Sequence, residues 1–361
     1  MRTLHTLHTA RTLHTSYPHD TDAHAEPDER SMLAVVQHRY GTSDVLGLRE
    51  IPRPTLGDHD VLVRVGAAGV DRGVWHLMTG RPYLTRVAFG LRRPRNPVPG
   101  LDVAGVVDSV GARVTRFAEG DLVFGTGHGT FAQYARASED RLAGIPTNLS
   151  MTEAGVLAVT GSTALQAVED HGRVEPGDQV LVLGASGGVG TYAVQIATAL
   201  GGTVTGVASS DKLDLVRRLG AHRAIDYRTD DPLAEPGRYD VIIDTGGNRS
   251  LRDLRRALTP TGTLVIVGGE NGGRWLGGTD RQIRAKLTSL VTRQRLTTFV
   301  ARQDAAHLER LADLVETGHV TPIVDRRFPL AAAADAIAHL ESGRTRGKIA
   351  IDIDTDTQGS R

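Results

Sequence analysis

One segment of the chain combines the residue types that could bind phosphate groups. It reads DQVLVLGASGGVGTYAVQIATALG: an apolar strand over Gln179–Leu183, a glycine-rich turn over Gly184–Gly190 and a helix over Thr191–Leu200. Gly187 would let the backbone approach a pyrophosphate, and Gly190 would let the helix pack closely on the strand. The helix N-terminus presents free N–H groups and a positive dipole to an anion. The residues predicted to bind a dinucleotide here are Ser186, Gly187, Gly188, Val189 and Gly190.

The end of the second predicted strand indicates which dinucleotide is preferred. NAD-binding sites place a carboxylate there to hold the ribose 2′-hydroxyl. Here strand Val204–Val207 leads into Ser209, Ser210, Asp211 and Lys212. Two hydroxyls and a cation suit a 2′-phosphate, whereas Asp211 is expected to cap the next helix with Asp214 at its third position. NADP(H) is therefore favoured over NAD(H), with Lys212 as a solvated helix residue the alternative interpretation.

The glycine-rich segment lies within a longer alternation of strands and helices. Further strands are predicted at Ala224–Asp226, Val241–Asp244, Thr263–Val267 and Leu296–Val300, and helices at Lys212–Leu219 and Ser250–Leu258. Apolar strands that alternate with amphipathic helices predict a doubly wound parallel sheet. We expect residues 161–302 to form this α/β, Rossmann-type domain.

The chain before residue 161 has a different sequence pattern. Short strand-like segments such as DVLVRVGAAGV and DLVFG are separated by glycine and proline clusters between residues 32 and 160. This spacing predicts a small, barrel-like β-rich domain. The final residues, 303–361, return to helix, strand, helix and strand, and we expect them to rejoin the first domain.

Composition excludes several classes of function. The 361 residues exceed one ordinary core, and 42 basic residues balance 42 acidic ones, so net charge gives no pull toward nucleic acid or an anionic membrane. Cysteine is absent, which excludes disulfides, thiolate metal sites and a cysteine nucleophile. Apolar runs are too short for a membrane span, and no secretory h-region is present. We expect a cytoplasmic protein that acts on a small molecule.

The first 31 residues differ from the rest, with TLHT repeats followed by an acidic stretch. They lack apolar periodicity, which favours a disordered extension, or an upstream start with Met32 as the natural initiator. The alternative is an adventitious metal-binding tail through His5, His8 and His14.

Segments in matching order and spacing resemble one family, the medium-chain dehydrogenase/reductase superfamily, specifically its zinc-independent, quinone oxidoreductase-like branch. The resemblance runs from Met32 to Ile353 and is carried by VLVRVGAAGV, PGLDVAGVVDSVG, RFAEGDLVFG, TGSTALQAV, PGDQVLVLGASGGVG, ADLVETGHVTPIVD and GRTRGKIAI. It implies a GroES-like catalytic domain built from both chain ends around a Rossmann domain, with a cofactor in the cleft and a homodimer.

The resemblance also implies that no zinc is bound. Zinc-dependent relatives carry a cysteine where this chain has Asp71 and His-Glu where it has Leu101-Asp102. The third ligand position, near residues 160–162, has no cysteine or histidine. Two aspartates supply too few ligands of the right kind for a tetrahedral catalytic zinc.

Further site residues follow from the same resemblance. Asp71 replaces an asparagine that lies beside the nicotinamide in quinone reductases; it could contact the nicotinamide or instead pair with Arg72 or Arg81. Trp75 and His76 occupy pocket positions, although core packing for Trp75 and a surface position for His76 are equally open. Residues implied to contact the cofactor are Thr163, Ser209, Ser210, Lys212, Tyr227, Gly246 and Gly268.

The implied reaction is hydride transfer from NADPH to a quinone or an α,β-unsaturated carbonyl. A conjugated acceptor spreads the developing charge and needs no metal electrophile. No residue is identified as the proton donor. The alternatives are an enoyl-thioester reductase and a non-catalytic NADPH-binding or sensing protein.

The interpretation of the N-terminal extension can be tested by shortening the chain. A chain that begins at Met32 should keep its melting temperature and cofactor affinity, because residues 1–30 show no pattern that would pack on a core. Thermal unfolding and cofactor titration measure this. A loss of several degrees would instead mean that the extension packs against the body.

Overall fold

A computed structural model describes residues 31–247, 249–268, 279–289 and 292–353. His5, His8 and His14, and with them the expectations for the N-terminal extension, lie outside the described residues. Within the described ranges, no helix combines the length and apolar character needed to cross a membrane.

A mainly antiparallel sheet is built from both ends of the chain, in the order β14-β15-β3-β4-β5-β7, with β6 also paired to β3. Its central strand β3 pairs with the C-terminal strand β15, where Ile349 lies opposite Val70. A separate hairpin of β1 and β2 lies beside it. The strands are β1 Ser31–Val36, β2 Gly47–Pro52, β3 Asp60–Val70, β4 Asp102–Val110, β5 Leu122–Thr126, β6 Tyr134–Ser138, β7 Leu142–Gly144, β14 Val324–Pro329 and β15 Lys348–Asp352.

The second sheet has six parallel strands in the order β10-β9-β8-β11-β12-β13. This order reverses direction between β8 and β11, which is the switch point where doubly wound sheets bind ligands. The expected α/β parallel sheet is thereby confirmed. Its strands are β8 Gln179–Leu183, β9 Thr203–Ala208, β10 Arg223–Asp226, β11 Tyr239–Asp244, β12 Leu258–Ile266 and β13 Arg295–Thr298.

Helices cover both faces of the parallel sheet and connect it to the first sheet. The helix that follows residue 157 continues into a π-type segment, Gln166–Gly172, before β8 begins. The helices are α1 Arg72–Thr79, α2 Arg86–Phe89, α3 Met151–Ala154, α4 Ala158–Leu165, α5 Gly188–Ala199, α6 Leu213–Arg218, α7 Leu251–Ala257, α8 Thr279–Ser289, α9 Ala305–Glu316 and α10 Ala333–Glu341.

The glycine turn and the strand before it form as their sequence dictates. The apolar residues of β8 are buried on both faces, as a central parallel strand requires. A Cβ on Gly190 would lie 2.1 Å from the carbonyl oxygen of Gly184, so only glycine allows α5 to approach this strand. The helix begins at Gly188, three residues earlier than predicted, because Gly187 is extended and occupies the N-cap position.

The predicted capping role of Asp211 is wrong. Residues Ser210–Lys212 form a 3-10 turn that precedes α6, and Lys212 occupies the N-cap position of that helix. The carboxylate of Asp211 turns back and accepts a hydrogen bond from the Ser209 hydroxyl at 2.6 Å. The Asp211 carboxylate therefore pairs with a side chain of the same turn and does not cap α6.

Candidate functional site

Two adjoining cavities open at the carboxyl ends of the parallel strands. The strand-end cavity, about 520 Å³, is lined by the ends of β8, β9 and β11. The interdomain cavity, about 530 Å³, lies between the two sheets and reaches Asp71 on one side and Val189 on the other. Both linings share Gly184, Ser186, Lys212, Gly246 and Gly343. The two cavities thus form one cleft across the switch point of the sheet.

The glycine turn forms the floor of this cleft. A Cβ on Gly187 would lie 3.4 Å from the Gly184 carbonyl oxygen, its nearest neighbour, so this side of the turn is open to a ligand. Ser186, Gly187, Gly188 and Val189 line the interdomain cavity, whereas Gly190 has the packing role given above. An open glycine turn at the start of a twelve-residue helix fits a pyrophosphate.

The strand-end cavity holds several of the residues predicted to bind the adenosine half of a cofactor. Ser209, Lys212, Tyr227 and Gly246 line it. Ser210, in contrast, is exposed and belongs to the lining of neither cavity. The structure therefore brings together all but one of the predicted residues on this side.

Lys212 is not the solvated helix residue that the sequence left open. Its side chain is buried, and its ammonium donates hydrogen bonds to the carbonyl oxygens of Gly343 at 3.1 Å and Thr345 at 2.9 Å. Burial lowers the pKa of this lysine. Lys212 thus connects the parallel sheet to the loop before β15 and lines both cavities.

Sequence analysis missed three arginines in the strand-end cavity: Arg228, Arg249 and Arg344. Together with Lys212 they outnumber the two carboxylates of the lining, Asp211 and Asp244. Asp244 is fully buried and accepts hydrogen bonds from Gly247 N at 2.9 Å and Arg281 at 2.5 Å. Arg228 follows Tyr227 directly and could have been noticed; the other two lie far from the motif in sequence.

The interdomain cavity contains the predicted Asp71, Thr163, Gly246 and Gly268. His76 also lines it, with its Nδ1 2.8 Å from the carbonyl oxygen of Arg81. Because a carbonyl oxygen can only accept, that nitrogen carries the proton when the ring is neutral.

Trp75 lies outside the lining of this cavity. Its indole N–H donates to Glu341 at 2.6 Å, and its ring packs against the core of the first sheet. The packing interpretation of Trp75 is therefore the one that agrees with the structure.

A buried lysine joins two buried carboxylates beneath the interdomain cavity. Lys348 Nζ lies 3.1 Å from an oxygen of Asp102 and 3.7 Å from one of Asp71. The other oxygen of Asp102 accepts from Val159 N at 2.6 Å, and that of Asp71 accepts from Val74 N at 3.0 Å. We call Asp71, Asp102 and Lys348 the buried triad. For Asp71 the structure thus adds a partner, Lys348, that sequence reasoning did not consider.

The buried triad supports the glycine turn. The Cδ atom of Lys348 would lie 3.2 Å from a Cβ on Gly188, and the neighbouring Gly347 N donates to the Ser186 carbonyl oxygen at 2.9 Å. The C-terminal strand therefore fixes the position of the turn from below. A change in the triad would reach the cavity floor through these contacts.

Within the triad, burial has the largest effect on the pKa of Asp102. It raises the pKa of Asp102 to about 6, with the Lys348 ammonium opposing the increase and the Asp71 carboxylate adding to it. The triad contains two carboxyl groups and one ammonium, and Asp102 is the carboxyl group whose pKa burial raises. Buried charges of this kind depend on their partners, because removing one partner leaves the other uncompensated.

Replacing Lys348 by methionine should destabilise the protein in a pH-dependent way. Without the ammonium, the folded-state pKa of Asp102 rises further, so the folded chain holds a proton that the unfolded chain has lost. The free energy of unfolding then falls as pH rises through the interval between the two pKa values. We expect a loss of about 3–5 kcal/mol at pH 8 and a smaller loss at pH 5.

Denaturant unfolding at the two pH values measures this effect. Lys286→Met is the matched control, since that lysine is exposed on α8 and should tolerate the change at both pH values. An equal loss for Lys348→Met at pH 5 and pH 8 would contradict the charge coupling.

Comparisons with known proteins agree with this architecture. Residues 57–147 match the family model described as alcohol dehydrogenase GroES-like domain, and residues 219–351 match the one described as zinc-binding dehydrogenase. The chain is 32% identical to "Quinone-oxidoreductase QR1, chloroplastic" of Triphysaria versicolor, over 89% of this chain and 98% of that protein. It is also 32% identical to "NADPH-dependent alkenal/one oxidoreductase, chloroplastic" of Arabidopsis thaliana, over 89% and 80%.

Solved structures show the same likeness along the whole fold. The quinone oxidoreductase from Coxiella burnetii superimposes with a TM-score of 0.77 at 28% identity, covering 90% of this chain and all of that one (100%). The glycine turn at the switch point, the first sheet built from both chain ends and these similarities agree. The chain belongs to the medium-chain dehydrogenase/reductase superfamily, in its zinc-independent, quinone oxidoreductase-like branch.

Proposed function

We propose that this protein is an NADPH-dependent reductase of quinones and α,β-unsaturated carbonyl compounds. The observation that carries the proposal is the continuous cleft. An open glycine turn forms its floor, with the basic strand-end cavity on one side and the interdomain cavity on the other. The names of the two similar plant enzymes, a quinone oxidoreductase and an alkenal/one oxidoreductase, support the substrate class.

NADPH supplies the hydride when it is bound. The glycine turn and the N-terminus of α5 hold the pyrophosphate, while Ser209, Tyr227 and the surrounding cations hold the adenosine end. Asp71 and Thr163 line the part of the cleft that remains for the nicotinamide and the substrate. The triad and the surrounding apolar strands keep this floor rigid, which favours a fixed distance between donor and acceptor.

A zinc ion does not fit the residues present. The ammonium of Lys348 already provides a positive charge to both Asp71 and Asp102, and a second cation there would be repelled. Among the described residues, no group of three His, Asp or Glu side chains is arranged to hold a metal. Hydrogen-bond donors of the protein or solvent, and not a zinc ion, therefore stabilise the substrate oxygen.

We also propose that the protein acts as a homodimer on a small-molecule substrate, in the cytoplasm. The parallel sheet ends in β13, which pairs only with β12 among the described strands. An open sheet edge is a common surface for pairing with a second copy.

A substrate panel tests the reaction. Purified protein should consume NADPH with quinones and with enones, and the rate should be unchanged after dialysis against a chelator. Matched saturated ketones serve as controls, because they lack the conjugated carbon that accepts the hydride. NADPH binding without turnover of any acceptor would favour the non-catalytic alternative, and turnover confined to enoyl thioesters would favour the other one.

Cofactor preference is tested by single substitutions in the strand-end cavity. Arg228→Ala should weaken NADPH by roughly 10- to 150-fold and leave NADH almost unchanged, since only NADPH carries the 2′-phosphate and a charged hydrogen bond is worth about 1.5–3 kcal/mol. Lys212→Ala should weaken both cofactors, because it also releases Gly343 and Thr345. For Arg228→Ala, the loss of NADPH affinity should appear as a higher KM for NADPH and not as a lower kcat.

Arg223→Ala is the matched control, as that arginine precedes the same loop but lies outside the lining of both cavities. If Arg228→Ala lowers NADH affinity as much as NADPH affinity, this arginine has a structural role and the preference for NADP(H) must have another origin.

A further inference from the structure

The segment around α2 concentrates positive charge beside the interdomain cavity. Residues 72–101 contain six arginines and no aspartate or glutamate, in a chain whose 42 basic and 42 acidic residues balance overall. His76 and Pro82, near the start of the segment, line the interdomain cavity. A net charge of zero therefore conceals a basic surface directly at the edge of the proposed substrate cavity.

The same segment exposes large apolar side chains. Leu84, Val87, Phe89 and Leu91 are 54%, 64%, 49% and 71% exposed. Four of the nine large apolar side chains that are exposed in the described part of the chain thus fall within eight consecutive positions. Single exposed apolar residues are ordinary on protein surfaces, but a contiguous group of them marks an interaction site.

The backbone beneath these side chains is held in place. Arg86 donates to the carbonyl oxygen of Gly80 at 2.9 Å, and its guanidinium lies over the rings of Tyr40 at 4.4 Å and Tyr83 at 4.6 Å. The Tyr40 hydroxyl donates to the Gly90 carbonyl oxygen at 2.6 Å. The apolar side chains project from an anchored turn, so their exposure is a property of the fold.

Exposed arginines border the apolar group. Arg92 and Arg93 directly follow Leu91, and Arg95 lies two positions further on; all three are exposed. We call the four apolar residues and these three arginines the α2 patch. These two features fit a partner that presents an apolar layer next to a layer of negative charge.

A second copy of the chain is a poor partner for this surface. A two-fold interface would bring the same patch of both copies together, and arginines would face arginines. An anionic lipid surface satisfies both requirements, since acyl chains receive the apolar side chains and headgroup phosphates receive the arginines.

We propose that the α2 patch docks this protein onto the surface of an anionic lipid bilayer. The docking itself follows from the patch, and its use rests on the proposed function: quinones and enones that partition into lipid would meet the cavity at the membrane surface. The zero net charge of the whole chain predicts no attraction to an anionic membrane. That prediction averages over all charged residues, whereas the fold places the α2 arginines together on one surface.

Vesicle sedimentation of the full chain tests the proposal. We expect binding to vesicles of equal parts phosphatidylglycerol and phosphatidylcholine, weakened by salt, and little binding to pure phosphatidylcholine. Arg92→Glu/Arg93→Glu should lower the partition coefficient by at least about tenfold, because each arginine near such a surface contributes about a fivefold factor. Val87→Ser/Leu91→Ser should lower the partition coefficient by at least about tenfold as well, because it removes apolar side chains that would enter the acyl layer.

Two matched variants serve as controls. Leu122→Ser/Val300→Ser removes exposed apolar side chains elsewhere, and Arg217→Glu/Arg218→Glu reverses exposed charges on α6; both should bind vesicles like the unaltered chain. Equal binding to neutral vesicles, or equal losses in the controls, would overturn the proposal. So would a change of oligomeric state in the patch variants, which would make the patch a contact between copies, or tighter binding to polyglutamate than to vesicles.

Turnover separates this proposal from the proposed function. With a water-soluble quinone and no vesicles, the patch variants should keep the activity of the unaltered chain, since their residues lie outside the cavity linings. If no quinone or enone is reduced, the proposed function fails while the sedimentation result still decides whether the patch binds lipid.

Discussion

The contact between Lys348 and the two buried carboxylates is the interaction on which the site depends. Asp102 stands at the start of β4, Asp71 at the start of α1 and Lys348 at the start of β15, so three distant parts of the chain meet at one charge. Charges buried in this way have few favourable arrangements, because each must keep its partner within a few ångströms. The glycine turn is held against this group of charges by contacts at Gly188 and Ser186.

The two ends of the cleft differ in charge. The strand-end cavity has an excess of cations, which suits a phosphorylated adenosine, while the triad beneath the interdomain cavity places two carboxyl groups against one ammonium. Lys212 belongs to both cavities and also holds the loop before β15. The strand-end cavity is thus connected physically to a loop that also lines the interdomain cavity.

Much of the fold was predictable from the sequence, because local patterns determine it. The strand before the glycine turn, the role of Gly190 and the parallel sheet all follow from periodicity and from the space that glycine leaves. The triad was not predictable: Lys348 and Asp102 are 246 residues apart, and no local pattern pairs them. The arginines Arg249 and Arg344 and the partner of Trp75 were missed for the same reason, since tertiary contacts alone place them. The domain limits at residues 160 and 302 stay predictions.

The pairing of β15 with β3 also sets an order of events during synthesis. The parallel sheet is complete once β13 has left the ribosome, and domains generally fold as they emerge. The first sheet must wait for its last strand, so Asp102 has no counter-charge until the final residues arrive. During synthesis the parallel sheet can therefore form while β3 still lacks its neighbour β15, and the glycine turn gains its contacts from Gly347 and Lys348 only afterwards.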